Sequence, residues 1–298
     1  MDSLDIPWRR AVVSVDQFSR NDIDEVFALA ARLSVGRTMP LTGKSIVNLF
    51  YEPSTRTSSS FYAAMTRLGG RVIPINEVNY SSVTKGESLE DTIRTLECYA
   101  DALVLRHYEE DATERAVSVA SVPIINAGNG AGEHPTQALL DLYTISKERG
   151  QIDGLNITLM GDLKHGRTVH SLVKLLRMYD VQLNFVSPQE LSLPSSYLTS
   201  EDSQYIDLSP IIEKTDILYV TRVQRERLAD TMVIDFSYAV TREDMARAKE
   251  NLVLMHPLPR VGEIPPELDS DPRAAYFRQM KYGLYVRMGI LVAMIGRD

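Results

Sequence analysis

The feature that most constrains this chain is an alternation. Short apolar runs rich in β-branched residues are followed, again and again, by stretches whose apolar residues recur every three or four positions. Ser45–Tyr51, Val72–Ile75, Ala102–Leu105 and Val122–Asn126 read as strands, and Ser54–Leu68, Ser88–Tyr99 and Pro135–Lys147 as helices between or after them. In Ser54–Leu68, residues Phe61, Ala64, Met65 and Leu68 share one face, and Gly69-Gly70 ends the run. Strand, helix, strand in succession predicts a parallel sheet covered on both faces.

The pattern then repeats. Glu148–Gly154 is polar, carries two glycines and predicts a hinge after a long helix. Beyond it, Leu155–Met160, Val181–Val186, Ile217–Thr221 and Leu252–Met255 read as strands and Thr168–Tyr179 as a helix. A last helix from about Ala274 places Phe277, Leu284, Met288 and Leu291 at helical spacing, as core positions beside Lys281. The expected fold is α/β: two Rossmann-like parallel-sheet domains joined by a hinge and long helices. Residues 1–150 form one domain, on which helix 274–298 packs back, and 151–273 the other. Gly161-Asp-Leu-Lys-His-Gly166 is not G-x-G-x-x-G, so the dinucleotide fingerprint is missing.

Composition narrows the partners. With 298 residues, 44% of them hydrophobic and 24% charged, the chain has the make-up of a packed globular protein. Its net charge of −8 speaks against nucleic acid or an anionic membrane as partner, while leaving room for a small cationic pocket. One cysteine, Cys98, excludes an intrachain disulfide and a multi-cysteine zinc site. The opening residues lack the apolar stretch of a signal peptide, and Met288–Ile295 is too short to span a bilayer, so a cytoplasmic setting is expected.

The chemistry concentrates where strands end. Ser54-Thr55-Arg56-Thr57 stands between a strand and a helix, so first-turn amides, hydroxyls and a guanidinium can converge on one anion, a phosphate above all; an N-cap cluster is the plainer reading. Arg106 falls at the end of Ala102–Leu105, and His134 and Gln137 flank the helix opening at Pro135. Ligands of open parallel sheets bind outside the carboxyl ends of the strands. Singly, Arg106 also fits a surface charge and His134 a cap or a buried hydrogen-bond partner. Arg167 and Arg222 follow two strands of the second half and suit a dicarboxylate, or else structural ion pairs.

The chain resembles the aspartate and ornithine carbamoyltransferase family over nearly its whole length. Six segments carry the resemblance: Phe50-Tyr-Glu-Pro-Ser-Thr-Arg-Thr57, Ser81-Ser-Val-Thr-Lys-Gly-Glu87, Leu105-Arg-His107, His134-Pro-Thr-Gln137, Gly161-Asp-Leu-Lys-His-Gly-Arg-Thr168 and His256-Pro-Leu-Pro-Arg260. It implies that Ser54, Thr55, Arg56, Thr57 and Arg106 hold the phosphate of carbamoyl phosphate, and that Thr57, Arg106 and His134 contact its carbonyl oxygen. Gln137 and backbone at Pro257, Leu258 and Pro259 would receive the carbamoyl amide. Lys85, Arg167, Arg222 and Gln224 would bind aspartate. Ser81 and Lys85, on a loop, would reach a neighbouring subunit's site in a homotrimer; Ser82 competes with Ser81 for that place. Residues matching Glu52 and Arg227 would pair with each other or with Arg167. The ornithine branch carries Cys where this chain has Pro257, which favours aspartate as second substrate. The implied reaction yields N-carbamoyl-aspartate, a pyrimidine precursor, without metal or organic cofactor. Carbamoylation of another amino acid such as ornithine, and an inactive α/β scaffold, remain the alternatives; a regulatory chain or a pathway enzyme as further partner stays open.

Overall fold

The computed structural model describes residues 7–36, 38–76, 86–223 and 238–296. The chain divides into two compact units, one made of residues up to Leu140 together with 281–298, the other of 141–280.

In the first unit a five-stranded, wholly parallel sheet runs β1 (Ala11–Val12), β5 (Ile124–Asn129), β4 (Ala102–His107), β2 (Ser45–Phe50), β3 (Arg71–Ile75) in spatial order. The alternating side chains of its strands separate two faces. Val47, Leu49, Leu103 and Leu105 join a cluster with Leu89 and Ile93 of α3 (Leu89–Leu96) and Ala112 and Ala116 of α4 (Ala112–Val119). On β2 the intervening Asn48 is fully buried and donates to the Ser58 carbonyl of α2 (Thr55–Arg67) at 3.1 Å.

The second unit repeats the plan with β10 (Val253–Met255), β9 (Ile217–Val220), β6 (Asn156–Met160), β7 (Gln182–Val186) and β8 (Ser203–Tyr205), again all parallel. Met160, Val186, Leu218, Val220 and Leu254 pack with Met245 of α7 (Arg242–Arg247).

Three further helices are the longest among the described residues. The helix α1 (Arg20–Val35), which periodicity alone passed over, starts with a capping box in which Ser19 and Asp22 satisfy each other's amides. The helix α5 (Pro135–Arg149) crosses from the first unit to the second at Leu140/Asp141, and α8 (Tyr276–Ile295) crosses back at Met280/Lys281. Glu148 and Arg149, expected to open the hinge, are helical and tied within the second unit. Glu148 takes a two-pronged ion pair from Arg278 at 2.8 and 2.6 Å, and Arg149 bonds Asp216 at 3.2 Å. Expected core residues on the last helix also need correction: Phe277 is exposed and Leu284 half-buried, whereas Tyr285, Val286 and Ile290 are buried beside Met288 and Leu291.

No helix among the described residues is long and apolar enough to cross a membrane.

Candidate active site

In each sheet the strand order reverses at one place, and there the connections leave in opposite directions and open a crevice. In the first unit β2 leads outward to β3 while β4 leads the other way to β5, so the crevice opens between the ends of β2 and β4. In the second, β6 leads to β7 and β9 leads to β10, so it opens between β6 and β9. Arg106 and Ser54–Thr57 stand at the first reversal, Arg167 and Arg222 at the second.

The first crevice is built tightly. Arg106 pairs in register with Phe50, and its carbonyl accepts from the Tyr51 amide at 2.8 Å, so the β2–α2 turn begins beside it. The β4–β5 register slips between Leu105 and His107, a bulge that re-aims the arginine. Its guanidinium donates to the Ala127 carbonyl at 3.2 Å and lies 3.3 Å from a Glu52 oxygen. Next to it, His107 is buried and its ring sits 4.4 Å from that of Tyr51 and 4.2 Å from that of Tyr108. Its Nδ1 accepts from the Glu109 amide at 3.0 Å, and burial holds the imidazole below its ordinary pKa.

Ser54 occupies the N-cap of α2, yet its side chain makes no capping bond, contrary to the capping role open to it. The first-turn amides of α2 are therefore left without that cap. Thr55 and Arg56 are exposed and Thr57 is buried. The turn itself is pinned: Ser58 Oγ donates to Asn76 at 2.8 Å, and the buried Arg287 of α8 donates to Ser60 at 2.8 Å while lying 5.3 Å from the Phe61 ring. Asn48, Asn76 and Arg287 escaped sequence reasoning because their partners lie far along the chain. At the end of β5, Gly130 has φ +47° and its amide donates to the His107 carbonyl at 2.9 Å; a Cβ there would meet the Tyr108 carbonyl at 2.5 Å. This close approach delivers the chain to α5, where His134 and Gln137 are both buried.

In the second unit Gly161 has φ +122°, and a Cβ there would lie 2.2 Å from the Thr221 carbonyl oxygen. Only glycine lets the ends of β6 and β9 close so far, which brings the loop before Arg167 against the residue before Arg222. Buried Asp162 shapes that loop by accepting from the His165 amide at 3.0 Å and approaching its ring at 3.2 Å. Arg167 opens α6 (Arg167–Leu176), one residue earlier than periodicity suggested. Neither α2 nor α6 has an acidic residue in its first turn, and each carries an arginine there.

After β10 the chain runs His256-Pro257-Leu258-Pro259-Arg260. Leu258 is the one non-glycine residue with positive φ among those described, at +57°. Its amide donates to His256 Nδ1 at 2.8 Å, and His256 Nε2 lies 3.7 Å from Glu263. Burial alone would raise the Glu263 pKa, but His256 and the Val261 amide hold it below the usual range. Arg260 grips Asp269 and donates to Tyr276 at 3.0 Å, and this pairing holds the Asp269 carboxyl down at about 2.

Ser81, Ser82, Lys85, Gln224 and Arg227 lie outside the described residues. Among the described residues, no group of three or more His, Cys, Asp or Glu side chains could hold a metal ion.

Residues 10–147 match the carbamoyl-phosphate-binding domain of aspartate/ornithine carbamoyltransferases, and residues 153–294 the aspartate/ornithine-binding domain. The chain belongs to the aspartate/ornithine carbamoyltransferase family. Within that family it resembles aspartate carbamoyltransferases. The catalytic subunit of that name from Thermoplasma acidophilum is 47% identical, over 96% of this chain and 98% of the subunit. The crystal structure of Trypanosoma cruzi aspartate transcarbamoylase in complex with carbamoyl phosphate superposes with a TM-score of 0.91 at 44% identity, covering 97% of this chain and 96% of that one. The multifunctional protein URA2 of Saccharomyces cerevisiae is 52% identical over 98% of this chain, which spans only 14% of that protein's length.

Proposed function

We propose that this chain transfers the carbamoyl group of carbamoyl phosphate to the α-amine of L-aspartate, giving N-carbamoyl-L-aspartate and phosphate on the route to pyrimidines. The observation that carries the proposal is the doubled design: each sheet presents arginine at its own reversal point, Arg106 beside a phosphate-type helix start in the first, Arg167 and Arg222 after neighbouring strands in the second. Ser54, Thr55, Arg56, Thr57 and Arg106 bind the phosphate. Thr57, Arg106 and His134 polarise the carbonyl, and Gln137 with the carbonyls of Pro257 and Leu258 receives the amide, Pro259 keeping that turn rigid. Arg167 and Arg222, with Gln224 and Lys85, bind aspartate.

The reaction needs no protein nucleophile. The amine lone pair attacks the carbonyl carbon, the bond from that carbon to the phosphate oxygen breaks, and the amine proton leaves with the phosphate. Catalysis is then approach and electrostatics: two anions are brought together, and fixed donors face the oxygen on which charge develops. Glu52 occupies Arg106 until an anion displaces it. The working unit is a cytoplasmic homotrimer in which Ser81 and Lys85 complete a neighbour's site. The family match, the full-length relative and the arginines support this reading.

The purified chain, given carbamoyl phosphate and either aspartate or ornithine, is expected to form N-carbamoyl-aspartate and no citrulline. Citrulline as the main product overturns the choice of substrate; no product from either amino acid points to a scaffold.

A further inference from the structure

The strained turn after β10 rests on a buried chain of polar groups drawn from four distant segments. Asp141 of α5, Tyr219 of β9, His256 and Gln279 of α8 are each fully buried. Tyr219 donates to one Asp141 oxygen at 2.8 Å, and the Gln279 amide donates to the other at 2.6 Å. The Gln279 carbonyl accepts the His256 amide at 3.0 Å, and His256 Nδ1 accepts the Leu258 amide at 2.8 Å. Burial first, then the carboxylate beside it, push the Tyr219 phenol far above its ordinary range, so its proton stays available to Asp141.

A leucine at φ +57° sits in a backbone region that L side chains disfavour. A carboxylate taken out of water is costly too, and apolar side chains of equal volume would serve bare stability as well. What apolar packing cannot do is fix direction. Hydrogen bonds in series can, because each sets the orientation of the next group.

We propose that Asp141 is a positioning residue for carbamoyl recognition: through Gln279 and His256 it holds Leu258 in its left-handed conformation and so aims the Pro257 and Leu258 carbonyls. The inference rests on the reading of those carbonyls as acceptors for the carbamoyl amide. It makes Asp141 and Gln279 determinants of specificity that touch no substrate.

Two stable probes isolate the effect. Phosphonoacetamide carries the carbonyl and the amide NH2, while acetonylphosphonate has a methyl group in place of that NH2. Calorimetry on the wild-type chain should show the amide bound ~10-fold more tightly, the worth of one or two well-placed hydrogen bonds. In Asp141→Asn this preference should collapse toward unity, with inorganic phosphate affinity unchanged and kcat reduced. The double variant Asp141→Asn with Gln279→Glu should restore the preference, because it regenerates every hydrogen bond with the charge moved by one residue. Gln279→Met, which leaves the Tyr219–Asp141 bond in place, should behave like Asp141→Asn. A wild-type chain with no preference for the amide would overturn the reading of the carbonyls themselves. A wild-type preference that persists in folded Asp141→Asn or Gln279→Met overturns the positioning role, as does failure of both single variants to fold.

Discussion

Arg56 and Arg167 sit where local energetics disfavour them. Each lies in the first turn of a helix, at the positive end of its dipole, with no acid nearby in that turn. A misplaced charge of this kind costs ~0.3–1 kcal/mol, and such local conflicts cluster at functional positions. Arg56→Ala should therefore cut kcat by ~10²–10³-fold without lowering the melting temperature. Steady-state kinetics beside a thermal melt checks both parts, and near-normal turnover would remove Arg56 from the phosphate clamp. On the proposed reading, Arg222→Ala acts on the other substrate. Its KM for aspartate should rise while calorimetry still finds wild-type affinity for inorganic phosphate.

At the scale of elements, what could be read in the sequence and what could not divide along physical lines. The strands β2, β4, β6, β7 and β9 and the helices α2, α5 and α6 were legible because each has a strong local period or a clear stop. The strand β1, only two residues long, and the three-residue β8 have no period to read; their pairing partners define them. The long α1 was missed although Ser19 and Asp22 spell a capping box, a signal stronger there than its hydrophobic spacing. Phe277 shows the opposite failure. Its spacing fits a core face, yet that side of α8 meets solvent and the Arg260 guanidinium, 5.8 Å from the ring. Most residues proposed for the site were visible because they follow strands. Their braces, Asn48, Asn76, Asp141, Gln279 and Arg287, were not, since a brace is defined by a contact that no local pattern encodes. Gly161 is the sharpest test of an element junction. Gly161→Ala drives a Cβ toward the Thr221 carbonyl at a φ that disfavours any side chain. It should cost about 2 kcal/mol or more, seen as a lower urea midpoint, and should raise the KM for aspartate by displacing Arg167 and Arg222.

For the whole molecule, acid should act in two stages. His107 and His170 are held below their ordinary pKa chiefly by burial. The unfolded chain therefore takes up protons first, and their contribution, complete above pH ~6.5, is lost progressively as pH falls from there through their lower folded pKa. Asp269, at about 2 when folded, contributes stability that is present above pH ~3.9 and lost as pH falls toward 2. Urea midpoints should thus decline gently from pH 7.5 to 5.5 and more steeply below pH 4, with His107→Asn flattening the upper limb. Assembly is open to a separate test. Inactive Lys85→Ala chains mixed with inactive His134→Ala chains should recover part of the activity, because a trimer with shared sites regenerates some that carry neither lesion. Subunit exchange confirmed by mass with no return of activity would confine Lys85 to its own chain.

The passage of α8 back into the first unit also sets an order of events during synthesis. The second unit is one uninterrupted stretch, 141–280, and is complete as soon as that stretch has left the ribosome. The first unit is not: Arg287, which grips Ser60 behind the phosphate-type helix start, is made 227 residues after its partner. The unit that is begun first therefore cannot close this contact until residues beyond 280 have emerged, by which time the whole of the second unit is already outside.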